Sequence, residues 1–150
     1  MQKFSRPIQV RWSDIDAIRH LRHSVYYDYA ASLRMLLFQE NGITTDYLEV
    51  NLIGPVLFRE EAVFKREIRV EDSVVIDVEL VKATHDLGRW SMRHNIYKNG
   101  DTLAAVINID AAWIDMKIRK LAKPNDLIQE IFKSFPKSSD FIWIEPSPIK

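Results

Sequence analysis

Asp14-Ile15-Asp16-Ala17-Ile18-Arg19-His20-Leu21-Arg22-His23-Ser24-Val25-Tyr26-Tyr27-Asp28-Tyr29 is the stretch on which the fold turns, because the hydrophobic period changes inside it. Before it, Ile8, Val10 and Trp12 alternate with Gln9, Arg11 and Ser13, the period-two pattern of a half-buried strand. After it, from about Ser24 to Glu40, Tyr26, Tyr29, Ala30, Leu33, Leu36 and Leu37 recur at helical spacing and form one broad apolar face. Ser24 is a candidate N-cap, and Asn41-Gly42 is a plausible stop. Tyr26 and Tyr29 read either as ordinary core or as an aromatic stripe facing a ligand.

A helix this apolar on one side needs a second layer to cover it, and the rest of the chain supplies strands. Thr44 to Val50 reads as a short helical turn. The next strand spans roughly Val56 to Arg69, with Arg59-Glu60-Glu61 interrupting its pattern. Val74, Ile76, Val78 and Leu80 share one face of the following strand; Trp90, Met92, His94 and Ile96 share one face of another. Lys98-Asn99-Gly100-Asp101 is a hairpin turn, since Asn-Gly tolerates the positive φ of a tight two-residue loop. A last strand runs from about Leu103 to Asp115. Pro124-Asn125-Asp126 then opens a short amphipathic helix with Leu127, Ile128, Ile131, Phe132 and Phe135. Phe141-Ile142-Trp143-Ile144 is apolar enough to need a partner surface, while Pro146 and Pro148 make a poor helix or central strand. The expected architecture is α+β: a long helix wrapped by a strongly curved antiparallel sheet of about five strands.

Composition removes several function classes. Twenty-one basic and twenty-one acidic residues cancel, so nothing draws the chain generally to nucleic acid or to an anionic membrane. The absence of cysteine excludes disulfides, a cysteine nucleophile and thiolate metal sites. No apolar run approaches the length that spans a bilayer, and the polar start, Met1 to Arg6, does not read as a signal peptide. A cytoplasmic protein is the expectation. The four glycines stand singly at 42, 54, 88 and 100, so no phosphate-binding glycine loop is present, and there is no nucleophile elbow.

The chemistry concentrates in Asp14 to His23, where two carboxylates, two imidazoles and two guanidinium groups precede a helix N-terminus. Amide N–H groups at such an end stabilise an oxygen gaining negative charge, and a nearby carboxylate activates water or attacks a carbonyl. Capping by Asp14 or Asp16 with ion pairs to Arg19 or Arg22 is the competing reading, and a divalent metal site is a third. The order of residues matches no metal motif, and the arginines oppose a cation; no cofactor or metal is expected. His85 and His94 fall in expected strands and read as structural or surface residues.

Val10-Arg11-Trp12-Ser13-Asp14-Ile15-Asp16-Ala17-Ile18-Arg19-His20, followed by Ser24-Val25-Tyr26-Tyr27-Asp28-Tyr29, resembles the hotdog-fold acyl-CoA thioesterases, in their 4-hydroxybenzoyl-CoA thioesterase-like branch. Phe64 to Val70 leading into Glu71-Asp72, and the Asn99-Gly100 hairpin, extend the resemblance over roughly Ile8 to Asp115. It implies one hotdog domain over residues 1–150 that hydrolyses an acyl-CoA or acyl-carrier thioester to a carboxylic acid and a thiol. By the motif, Asp16 is the catalytic carboxylate, as nucleophile or general base. The backbone amide near His23 is the donor to the thioester oxygen, and His20 orients or shapes the site. Arg19 and Arg22 are candidates for the CoA phosphates. The resemblance also implies a homodimer or homotetramer with acyl sites at the interface. Four positions depart from the pattern: Arg19 replaces a glycine, Arg22 and His23 replace a frequent Asn-Asn, and Ala31 stands where some members carry a glutamate. They motivate two alternatives on the same fold, a noncatalytic acyl-binding or assembly protein and a hydroxyacyl-thioester dehydratase.

Overall fold

The helical period after Ser24 materialises as α1 (Val25–Glu40). In the computed structural model, which describes residues 3–145, α1 is flanked by β1 (Phe4–Ile8) and a single 3-10 turn (Trp12–Asp14) on one side. It is followed by α2 (Thr45–Asn51), β2 (Ile53–Phe64), β3 (Val74–Thr84), β4 (Arg89–Lys98), β5 (Thr102–Asp115), β6 (Lys120–Leu121), α3 (Asp126–Lys133) and β7 (Lys137–Ile144). The expectation for Pro146 and Pro148 lies outside the described residues.

Val25, Tyr26, Ala30, Leu33, Arg34, Leu37 and Phe38 are the buried residues of α1, whereas Tyr29 and Leu36 are half-buried. The buried face is therefore turned slightly from the expected one and takes in an arginine. Ser24 precedes the helix without capping it: its backbone is already helical, and its hydroxyl accepts from Arg22 Nε at 3.0 Å. Gly42, at φ +91°, takes the chain out of the helix as expected.

The principal sheet has the order β1-β3-β4-β5-β2, all antiparallel, and wraps α1. Two short strands enlarge it to seven: β6 pairs with β5, and β7 runs parallel to β3. Strand β1 covers Val74–Val78 of β3 and β7 covers Leu80–Thr84, so the two share one edge end to end. The apolar tail thus finds its partner surface on its own domain. The two alternating strands read from sequence hold: Val74, Ile76, Val78 and Leu80 are buried, as are Trp90, Met92, His94 and Ile96. Strand β2 starts earlier than expected and ends at Phe64, with a register shift between Leu57 and Arg59 where its pattern breaks. The hairpin after β4 has three loop residues, with Asn99 and Gly100 at φ +50° and +101°.

The first strand is displaced from the reading above. It ends at Ile8, and Trp12, 78% exposed, sits in the 3-10 turn. The cause is the buried Asp14, whose carboxylate needs donors. Arg11 supplies them from its backbone and guanidinium, and the chain must fold over residues 11–14 to bring them in. At the far end of the helix, Phe38, Trp90, Trp113, Phe132 and Phe135 make one aromatic cluster, closed by α3 under its Asn125 cap. Among the described residues no helix is long and apolar enough to cross a membrane.

Candidate active site

Residues 14–24 form a tight loop between the 3-10 turn and α1, held by its own backbone. Asp16 N–H donates to the His20 carbonyl at 2.9 Å, and Arg19 N–H donates to the Asp16 carbonyl at 3.0 Å. Arg22 N–H donates to the Asp14 carbonyl, and Ile15 and Leu21 pair as an isolated bridge. Arg19 adopts φ +68°, the left-handed conformation that glycine enters without a steric penalty. The replacement of the expected glycine therefore leaves the loop geometry intact and costs strain at one residue.

The two aspartates have different environments. Asp14 is buried and structural: it pairs with Arg11 at 3.1 Å and accepts from the Tyr29 hydroxyl at 2.8 Å. The Arg11 hydrogen bond holds its carboxyl below the usual carboxylate range, assisted by Tyr29 and opposed by desolvation. Asp16 is half-buried, and its Oδ1 accepts two backbone N–H groups, from Ile18 at 3.0 Å and His20 at 3.1 Å. Its Oδ2 accepts no hydrogen bond among the described residues. One oxygen anchors the carboxylate and the other stays open to chemistry.

A cavity of about 360 Å³ lies against Asp16. His20, His23 and Tyr26 line it from the loop and the start of α1, and Phe64, Lys65, Arg66 and Glu67 line it from the end of β2. The Tyr26 and Phe64 rings meet edge to face at 5.0 Å and form its aromatic wall. Burial, with the nearby Asp16 charge, pushes the Tyr26 phenol up to about 12, so it remains protonated across the physiological range. The His23 backbone N–H donates to no carbonyl among the described residues, leaving a donor at the helix start. A hollow of about 430 Å³ at the other end of β2 has Asp115 in its wall, but that carboxylate caps the N–H groups of Lys117 and Ile118.

Asp16, His20 and His23 thus come together around one cavity. Arg19 and Arg22 belong to the same loop but not to its lining: Arg22 turns back to Ser13 O and Ser24 Oγ. Lys65, Arg66 and Glu67 are the residues that sequence reasoning missed. They are about fifty residues from Asp16, and a charged run at a strand end carries no specific signal. His94 is a core residue, and His85 stacks on Trp143 at 5.0 Å, beyond the end of β3. No group of three or more His, Asp or Glu among the described residues is placed to hold a metal ion.

The family model of the Thioesterase-like superfamily matches residues 10–132, which takes in the loop, the cavity and the principal sheet apart from β1. The chain belongs to the thioesterase-like superfamily. Its hotdog fold recurs in a hypothetical protein of Staphylococcus aureus solved in complex with CoA (15% identity, 92% of this chain and 89% of that one, TM-score 0.82). It recurs in a 1,4-dihydroxy-2-naphthoyl-CoA thioesterase from Synechocystis (14%, 88% and 96%, 0.78) and in a thioesterase from Thermus thermophilus complexed with coenzyme A and Zn (26%, 89% and 96%, 0.73). No curated protein matches the sequence significantly. The hotdog-fold thioesterase family named from the motif holds, and with it thioester hydrolase as the reaction class of this thioesterase-like chain.

Proposed function

We propose that this protein hydrolyses an acyl-CoA or acyl-carrier thioester with Asp16 as its catalytic carboxylate. The observation that carries the reading is the two-sided environment of Asp16: Oδ1 is held by two amides, while Oδ2 is unengaged among the described residues, beside a cavity that also contains the helix start. The thioester carbonyl lies between Asp16 and the His23 amide, and that N–H donates to the oxyanion as water or Asp16 attacks the carbonyl carbon. With water as nucleophile, Asp16 takes its proton, the carbon–sulfur bond breaks to give the acid, and that proton passes to the leaving thiolate. With Asp16 as nucleophile, the thiolate leaves first, and water then hydrolyses the acyl-Asp16 anhydride, releasing the acid and restoring the carboxylate. The acyl group sits against Tyr26 and Phe64, and the CoA moiety stays toward solvent, which avoids desolvating its phosphates. Lys65 and Arg66, exposed at the cavity rim, are phosphate contacts, with Arg19 and Arg22 as outer contributors.

A second copy of the chain completes the assembly in this reading. Strand β2 has β5 on one side and no strand on the other among the described residues, and it exposes Leu57, Phe58, Val63 and Phe64. A twelve-residue unpaired edge of this kind calls for a strand partner, and a twofold pairing of β2 with itself satisfies both copies. Analytical ultracentrifugation should give at least twice the 17.6 kDa of one chain; a monomer at micromolar concentration removes the dimer from the account. For the site, a structure with an unreactive thioether analogue of an acyl-CoA is the test. The sulfur should lie within about 8 Å of Asp16, the reach of a direct contact or one bridging water, and a greater distance in every protomer defeats the proposed geometry.

A further inference from the structure

The cavity contains a second carboxylate, Glu67, which holds His20. Glu67 Oε2 is 2.7 Å from His20 Nε2, and since a carboxylate only accepts, the ring nitrogen carries the proton and donates it. Its other oxygen accepts from Arg69 Nη2 at 3.0 Å, and its backbone carbonyl accepts from Lys98 Nζ at 2.6 Å. One residue further, the Ile68 carbonyl accepts from Leu21 N–H at 2.7 Å. The 65–69 segment is therefore fixed to the sheet and to the loop at once, and Glu67 is a firm anchor.

The contacts continue from His20 to Asp16. The His20 N–H donates to Asp16 Oδ1 and the His20 carbonyl accepts the Asp16 N–H, so His20 embraces Asp16 from both sides of its own backbone. Glu67 therefore holds the side chain of the residue whose backbone makes both of these contacts to Asp16. The His20–Glu67 pair is partly exposed and adds little to stability. What it contributes is geometry. We propose that Glu67 is a positioning residue, acting through His20 to set the direction of the open Asp16 oxygen.

This inference rests on the reading of Asp16 as the catalytic carboxylate, and the experiment separates the two. Glu67→Ala, Glu67→Gln, His20→Ala, the His20→Ala/Glu67→Ala double variant and Asp16→Asn are compared for kcat and KM on one acyl-CoA series, and for unfolding midpoint. Glu67→Ala should lower kcat about 10- to 100-fold with an unchanged midpoint and little change in KM, the size of effect of displacing a reacting group. Glu67→Gln, which keeps an acceptor for His20, should recover most of the rate. The double variant should be no slower than the slower single variant, because both act along one chain of contacts. Amide hydrogen exchange supplies a readout independent of turnover: the His20 and Ile18 amides should lose protection in Glu67→Ala. Full kcat in Glu67→Ala beside a crippled Asp16→Asn overturns the positioning role alone, as do additive losses or unchanged amide protection. Full activity in Asp16→Asn overturns the catalytic reading, and the positioning role falls with it.

Discussion

His94 makes a quantitative test of the fold possible. It is wholly buried on β4, with Nδ1 3.3 Å from the Ile107 carbonyl and Nε2 3.4 Å from Arg34 Nη1. The carbonyl only accepts and the guanidinium only donates, so the arrangement fits the neutral ring with its proton on Nδ1. Burial, reinforced by the Arg34 charge, pushes the imidazole down to about 3 from 6.5. As pH falls below about 6.5 the unfolded chain takes up a proton that the folded chain refuses. Stability contributed by this residue is fully present above that pH and is lost progressively toward pH 3. At about 1.4 kcal/mol per pH unit, the loss between about pH 7.5 and about pH 5.0 is about 2 kcal/mol. Urea unfolding of the wild type and His94→Gln at both pH values, at fixed protein concentration, reads it as a difference of differences, which cancels the other histidines. The wild type should lose about 2 kcal/mol more than the variant. Equal losses in the two proteins would refute the neutral, buried assignment.

Leu33→Ala should destabilise the domain by about 2–5 kcal/mol, since the side chain is buried on the inner face of α1, and denaturant midpoints will show it. Tyr29→Phe leaves the buried Asp14 one donor short and should cost about 1–3 kcal/mol by the same measurement. Arg19→Gly relieves a left-handed residue and should raise stability by about 0.5–1 kcal/mol; a loss of that size would contradict the strain assigned to the loop. Lys65→Ala with Arg66→Ala should raise KM for a CoA thioester about tenfold while leaving a truncated thioester without the nucleotide unaffected. An equal effect on both substrates would remove these side chains from phosphate binding.

The elements whose period is long and unambiguous are legible in the sequence: α1, β3, β4 and the Asn99-Gly100 turn. Each is dictated locally, by burial alternating at 3.6 or 2 residues or by positive φ. The displaced first strand marks the limit. Ile8, Val10 and Trp12 alternate, but three apolar residues do not outweigh a buried carboxylate, and Asp14 bends the chain out of the sheet to reach Arg11 and Tyr29. Strand β7 is legible only as an apolar tail needing cover, because its partner, the second half of β3, is set by where β1 ends. The site divides in the same way. Asp16, His20 and His23 are neighbours in sequence and belong to one motif, whereas Lys65, Arg66 and Glu67, just past the end of β2, meet them at the cavity only in the folded chain.

The central claim is that the open oxygen of Asp16 does the chemistry, and steady-state hydrolysis of an acyl-CoA series by the wild type and Asp16→Asn tests it most directly. The substitution keeps an oxygen to accept the Ile18 and His20 amides while removing the charge, so the loop should survive and the unfolding midpoint should hold. The value of kcat should fall by at least about 100-fold, the usual contribution of a carboxylate acting as base or nucleophile. Turnover by a folded Asp16→Asn protein at the wild-type rate would contradict the claim.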